Sequence, residues 1–288
     1  MKQVTDIPQP PPRPDDGHKG TFGTVIVIGG SDTMLGAPAL CARAALRSGA
    51  GLVKVACSPG ILPHVLTIEP SATGIAIGNE PDDVVAQLEQ ADPDQKAVLA
   101  VGPGLGLRPV RGELVEALLA GPRTLVLDAD GLNLLAKNRM ALESAHTRTA
   151  PLVLTPHPGE YRRLADALKI HADPTDPAQR AQAATQLAQQ LAAVVVLKGQ
   201  RSIIAEGERY ATNPTGNPAL ATAGSGDVLT GLIASLLAQG MAPFDACQLG
   251  AHLHGLAADQ WAEQHGARGL RAMELADQLP KAFAAYPG

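Results

Sequence analysis

The residues of this chain best suited to chemistry on phosphate lie between Asn213 and Asp227, in the run N-P-T-G-N-P-A-L-A-T-A-G-S-G-D. Its last part, Ala223-Gly224-Ser225-Gly226-Asp227, is a glycine-rich loop that runs straight into a helical stretch, Val228 to Leu237. The first amides of a helix have no carbonyl to bond, and the helix dipole adds positive potential at the same end. Glycines let the backbone approach a phosphate closely, so an anion belongs there. Asp227 is open to two readings: an N-cap of the helix, or a base that removes a proton beside the bound phosphate. The preceding N-P-T-G-N-P cannot be regular structure and lays a second polar loop beside that point. Leu197-Lys198-Gly199 closes a short apolar run, where the ammonium of Lys198 either pairs with phosphate or reaches out to solvent.

Two prolines in Thr155-Pro156-His157-Pro158-Gly159-Glu160-Tyr161 hold His157 in a rigid loop whose end starts a helix, and rigid placement suits a ligand contact. Glu160 falls in the first helical turn, and complementing the dipole is the role expected of it. His252 and His254 are two residues apart, which on a helix sends them to different faces and argues against a metal pair. Neither H-E-x-x-H nor a Walker A pattern occurs. Gly102-Pro103-Gly104-Leu105-Gly106, with Asp128 ending the next strand, invites a dinucleotide-binding reading. Against it, the third glycine is one residue early for G-x-G-x-x-G, Pro103 stiffens the turn, and the element lies in mid-chain.

The elements that must position these loops follow from periodicity. Short apolar runs bounded by turn residues occur at Thr24 to Ile28, Leu52 to Ala56, Ala97 to Val101, Thr124 to Leu127, Leu152 to Leu154 and Val194 to Leu197. Helical spacing fills Ala37 to Arg47, Gly112 to Leu119, Glu160 to Leu168 and Pro177 to Ala193. This alternation predicts an α/β fold, a mostly parallel sheet with helices on both faces. Ser202 to Ala205 and Arg209 to Ala211 read as a local hairpin, and Asp227 to Ala238, Pro243 to His265 and Met273 to Leu279 as helices. Ligands of open parallel sheets collect at the carboxyl ends of the strands, which is where the unusual loops fall. Residues 1–17 are read as a Pro-rich lead-in, extended through I-P-Q-P-P-P-R-P-D, and residues 18–288 as a single domain.

Bulk composition narrows the partners. Among 288 residues, 45 % are hydrophobic, yet Phe, Tyr and Trp number 3, 3 and 1, so few rings can stack on bases. With a net charge of -5, nucleic acid is not an expected partner. Neither is a membrane, since no apolar run is long enough to span one. Three scattered cysteines suggest neither a disulfide framework nor a thiolate metal site and suit a reducing cytoplasm.

Taken in order, the motifs resemble one family, the NAD(P)H-hydrate dehydratases of the ribokinase-like superfamily. The resemblance runs from about Lys19 to Leu279. It rests on K-G-T-F-G-T-V-I-V-I-G-G-S from Lys19, G-A-P from Gly36, R-S-G-A-G-L-V from Arg47, G-P-G-L-G from Gly102 and D-A-D-G-L-N from Asp128. Further along come L-T-P-H-P-G-E from Leu154, L-K-G from Leu197, and N-P-T-G-N-P with A-G-S-G-D-V-L-T-G. The family usually has A-G-T-G-D, so Ser225 departs from the pattern while keeping a small hydroxyl.

The resemblance implies a ribokinase-like three-layer fold and an enzyme that phosphorylates the hydroxyl of hydrated NADH or NADPH (NADHX, NADPHX) with ADP or ATP. Loss of phosphate then restores the double bond. It implies that Asp227 is the base and that Gly224, Ser225 and Gly226 hold the developing charge. Lys198, Gly199, Gln200, Arg201, Ser202 and Gly226 match contacts to the nucleotide. Ala37, Gly104, Gly106, His157 and Asp227 match contacts to the hydrate. Asn213 and Asn217 are phosphate or metal neighbours by position, with Asn217 assigned to the nucleotide. Magnesium is expected with the nucleotide, with no carboxylate cage for it visible. A homotetramer is expected, and a separate epimerase as functional partner, because only some twenty residues precede the match. The rival reading is a small-molecule kinase of the same superfamily, acting for instance on a vitamin precursor; a nucleotide sensor without a base is a more distant one.

Overall fold

The computed structural model describes residues 1–286. Ten strands form one sheet: β1 (Lys2–Val4), β2 (Thr24–Ile28), β3 (Leu52–Cys57), β4 (Thr73–Ala76), β5 (Val98–Val101), β6 (Leu125–Leu127), β7 (Leu152–Leu154), β8 (Val194–Leu197), β9 (Ile203–Glu206) and β10 (Arg209–Thr212). Their order is β1-β10-β9-β8-β7-β6-β5-β2-β3-β4. All neighbours are parallel except β8 with β9 and β9 with β10, the hairpin read from Glu206-Gly207-Glu208.

The helices are α1 (Gly36–Arg47), α2 (Leu62–Ile68), α3 (Pro81–Ala91), α4 (Pro109–Ala120), α5 (Asp130–Lys137), α6 (Arg139–Thr147), α7 (Pro158–Leu168), α8 (Arg180–Gln190), α9 (Ser225–Ala238), α10 (Pro243–His265) and α11 (Ala272–Ala285). They divide into two layers because alternate strand residues face opposite ways. Val25 and Val27 join one apolar cluster with α1, α9, α10 and α11, while Ile26 and Ile28 join the other with α3 to α8. This is the three-layer fold expected. Both sheet faces are covered, which is why the central strands read as unbroken apolar runs. Among the described residues no helix is long and apolar enough to cross a membrane, and all three cysteines are free and buried.

The eight strands read from the sequence are present within two residues of their expected limits. Strands β1 and β4 were not foreseen. Both are edge strands; β4, Thr-Gly-Ile-Ala, is largely exposed and has no apolar run to announce it. Helices α2, α3, α5 and α6 were also not foreseen, and α8 is shorter than Pro177 to Ala193 because Asp176 folds residues 176–180 into a turn first.

The Pro-rich segment lies along the body of the protein. Gln248 donates to the carbonyl of Asp6 and Tyr286 to that of Ile7, while Arg13 stacks on Phe22 and donates to Gly49. The site itself is positioned by a close helix crossing: a Cβ on Gly231 would stand 2.0 Å from the carbonyl oxygen of Cys41, so α9 meets α1 at the distance only glycine permits.

Candidate active site

Helix α9 opens on Gly224, whose φ of +87° puts it in the left-handed region where other residues are strained. The first helical bond runs from Val228 N–H to the Gly224 carbonyl at 3.2 Å. The amides of Gly226 and Asp227 have no backbone acceptor among the described residues and remain free for an anion. Asp227 does not cap the helix: it sits in the first turn, after the cap, and no side chain makes a capping bond there. Of its two readings, the cap is removed.

Beneath the loop lies a buried charge cluster. Lys198 Nζ donates to Asp128 Oδ1 at 2.7 Å, and Thr230 Oγ1 donates to Asp128 Oδ2 at 2.8 Å. Lys198 Nζ also stands 3.9 Å from Glu160 Oε2, and 3.2 Å from where a Cβ on Gly226 would be. The ammonium of the cluster therefore stands against Gly226 in the first turn of α9. Burial alone would push the Asp128 carboxyl up, but Lys198 overrides it and holds the group below its usual range. Asp227 has no such partner, and burial, reinforced by the charge of Asp128, pushes it up to about 7. Burial likewise takes Glu160 to about 7 against the pull of Lys198.

His157 is the N-cap of α7. Its Nδ1 accepts from the Gly159 amide at 2.9 Å, and Glu160 reaches back to the His157 amide at 2.8 Å, forming a capping box. On α10, His254 donates from Nε2 to the Ser225 carbonyl at 2.9 Å; burial drops its pKa to about 4, so it stays neutral and holds that tautomer. Asp128, Ala129, His157, Glu160, Lys198 and residues 224–227 line a cleft of about 320 Å³. A larger cleft of about 630 Å³, between α6, α7 and α8, is lined by glutamines, His146, His171 and Lys169 and holds no carboxylate that could act as a base. The smaller one gathers the carboxylates, the ammonium of Lys198 and the free amides of α9.

The family model of NAD(P)H-hydrate dehydratases matches residues 25–281. The chain belongs to this family. It is 44 % identical over 288 residues to the bifunctional NAD(P)H-hydrate repair enzyme Nnr of Moorella thermoacetica, covering 94 % of this chain and 51 % of that protein. The chain thus spans about half the length of the bifunctional relatives it matches. It is 36 % identical to the ADP-dependent (S)-NAD(P)H-hydrate dehydratase of Bacillus subtilis, covering 95 % of this chain and 93 % of that one. Among solved structures, the ADP/ATP-dependent NAD(P)H-hydrate dehydratase from Bacillus subtilis, co-crystallised with ATP/Mg2+, superimposes with a TM-score of 0.80 at 33 % identity, covering 96 % and 94 % of the two chains. A ribokinase-like superfamily protein from Enterococcus faecalis gives 0.77 at 28 % identity, covering 96 % and 92 %.

In this member of the dehydratase family the expected site residues fall into groups. His157, Lys198, Gly224, Ser225, Gly226 and Asp227 converge on the cleft. Ala37, Gly104 and Gly106 form a second group: a Cβ on Gly104 would lie 3.2 Å from Ala37 Cβ, and the Gly106 amide donates to Asp130 Oδ2 at 2.8 Å. Ala129, at φ +49°, links the two, placing Asp128 under the cleft and Asp130 under the Gly106 loop. Such a conformation costs about 1–3 kcal/mol and persists only where the surroundings brace it; Gly131 N–H to Asp128 carbonyl and Asp128 N–H to Val101 carbonyl do so here.

Gly199, Gln200, Arg201 and Ser202 continue from Lys198 as a turn closed by Ser202 Oγ donating to the Gly199 carbonyl, with the guanidinium of Arg180 over Gly199; they do not line the cleft. Asn217 also stands apart: its amide nitrogen donates to Asp259 and its oxygen accepts from Ala219. Asn213 donates to the carbonyls of Thr215 and Ala251, so both asparagines shape the loop and are occupied. The sequence reading underrated Glu160, whose carboxylate is part of the charge cluster as well as the capping box. It missed Thr230 and His254 as supports. Asp128, which in the sequence reads as a ribose-binding acid or as part of the D-A-D-G-L-N motif, has Lys198 as its partner, 70 positions away. Among the described residues no three His, Cys, Asp or Glu side chains are grouped to hold a metal ion.

Proposed function

We propose that this protein uses ADP to dehydrate the S form of NADHX and NADPHX to NADH and NADPH, releasing AMP and phosphate. The observation that carries the mechanism is the pairing of an uncapped, unbridged Asp227 carboxylate with free amides at Gly226 and Asp227 and the ammonium of Lys198 beneath them. Asp227 takes the proton of the substrate hydroxyl as its oxygen attacks the terminal phosphorus of ADP and the bond to AMP breaks. Charge growing on the transferred group meets the amides and Lys198, which are already in place. The new phosphate ester is a leaving group: its C–O bond breaks, the neighbouring carbon gives up a proton, and the ring double bond returns.

A carboxylate with a pKa about 7 is matched to taking a proton at neutral pH. Ala37, Gly104, Gly106 and His157 are proposed to hold the hydrate, and Lys198, Gly199, Gln200, Arg201, Ser202, Asn217 and residues 224–226 the nucleotide. Magnesium enters with the nucleotide as part of the substrate; Asp128 and Glu160, already facing Lys198, offer it no ready cage. The reading is supported by family membership and by the activity in the name of the Bacillus subtilis relative. A cytoplasmic homotetramer, served by a separate epimerase that converts the R form, completes the proposal.

Incubation with NADHX and either ADP or ATP tests it. Dihydronicotinamide absorbance returns with an equal amount of inorganic phosphate, faster with ADP. No regeneration with either nucleotide overturns the proposal, and a stable phosphorylated product in its place marks a kinase.

A further inference from the structure

The N-P-T-G-N-P loop is docked along one stretch of α10. Asn213 donates to the carbonyl of Ala251 at 3.0 Å, Thr215 Oγ1 to that of His252 at 2.8 Å, and Asp259 accepts from the Gly216 amide at 2.9 Å. At Gly255 the approach is closer still, since a Cβ there would stand 2.6 Å from the carbonyl carbon of Thr215. Gly250 lies against α9 in the same way: its Cβ would stand 2.8 Å from the side chain of Ile233. Residues 250–255 are thus held by the loop and by α9, at approaches that only glycine allows.

The polar side chain fixed by this arrangement is His254. It is 8 % exposed, and its Nε2 stands 2.9 Å from the Ser225 carbonyl oxygen. A carbonyl can only accept, so the ring hydrogen is on Nε2. Burial, with Lys198 nearby, takes the ring down to about 4 against the pull of that hydrogen bond, which keeps it neutral. A neutral donor adds no charge beside the ammonium of Lys198.

The carbonyl of Ser225 and the N–H of Gly226 belong to one trans peptide, in which the two point opposite ways. A donor on the oxygen therefore holds the plane of that peptide. It also draws electron density toward the oxygen and leaves the N–H more positive. This N–H is one of the two at the start of α9 that have no backbone acceptor among the described residues. We infer that His254 is a positioning residue of the anion hole: through the Ser225 carbonyl it orients and polarises the Gly226 amide that meets the transferred phosphoryl group. The N-P-T-G-N-P loop then serves the reaction by bracing the turn of α10 that carries His254. The inference rests on the proposed phosphoryl-transfer reading.

Wild-type protein is assayed first with NADHX and ADP; absence of turnover there fails the dehydratase reading itself, while the amide resonance below still tests the inference. His254→Gln keeps an N–H donor at similar reach, His254→Leu removes it, and His254→Asn is too short to make the bond. In His254→Leu, kcat falls about tenfold and the KM for NADHX stays within about twofold. Deleting a whole oxyanion-hole donor costs about 10²- to 10³-fold, and here the donor remains but is less fixed and less polarised. His254→Gln stays within about threefold of wild type. Should circular dichroism show His254→Leu unfolded, His254→Asn takes its place with the same expectation. In protein carrying nitrogen-labelled glycine, the Gly226 amide resonance moves in His254→Leu or His254→Asn and returns toward its wild-type position in His254→Gln. An unchanged kcat in a folded His254→Leu or His254→Asn overturns the inference, even where the melting temperature drops, because that pattern belongs to packing alone. An equal loss of kcat in His254→Gln, or a Gly226 resonance that does not move, overturns it as well.

Discussion

Replacing Asp227 by Asn should move activity and stability in opposite directions. The carboxyl is pushed from its ordinary 3.8 to about 7, chiefly by burial. A group whose proton affinity rises on folding stabilises the folded state while it is protonated, and that contribution is lost as pH climbs from about 4 through about 7. Each tenfold in proton affinity is about 1.4 kcal/mol, so ionised Asp227 costs the fold up to about 4 kcal/mol, and about 2 where water in the cleft screens the charge. Asparagine is nearly the same size and never ionises. At about pH 8.5 the variant should therefore melt about 4 °C higher than wild type, and the difference should shrink as pH falls, the two coinciding only below about pH 4. Turnover, followed as returning dihydronicotinamide absorbance, should fall about 10²- to 10⁴-fold because the base is gone. In wild type the rate should rise with pH through about 7 as Asp227 ionises. A variant that is no more stable at pH 8.5 than at pH 5, relative to wild type, would refute the burial argument; one that keeps turnover within tenfold would refute the base.

Lys198→Met should be the opposite case, losing both. It leaves Asp128, buried and bonded to Thr230, without its cation, and chemical denaturation should show a loss of about 3–5 kcal/mol together with a raised KM for ADP. Gly231→Ala adds a methyl 2.0 Å from the Cys41 carbonyl, so α9 must pull away from α1; a loss of about 3 kcal/mol or a poorly soluble protein is expected, and a melting temperature within 1 °C of wild type would disprove the close crossing.

The loops carrying chemistry were legible because glycine, proline and short apolar runs act over a few residues. The strands β2, β5, β6, β7 and β8 announced themselves by being buried on both faces. Strand β4 did not, since at the sheet edge it needs no apolar run, and α5 hid behind the D-A-D-G-L-N motif, which reads as a loop. What the sequence cannot display is pairing across distance. Nothing local in Asp128 or Lys198 says that they meet, and without that contact the cluster under Gly226 has no shape. Asp227 shows the same limit: whether it caps the helix depends on where the helix begins, and it begins at Ser225, ahead of Asp227.

Strand β1 has a temporal meaning. Residues 2–4 are made well before the residues they pair with, Arg209, Tyr210 and Ala211. A growing chain must extend by some two hundred residues before that partner strand exists. Until then β1 waits, and the prolines between Ile7 and Pro14 suit this segment to waiting, because they offer few amides to any strand it meets first. A strand made early is thus among the last to be secured.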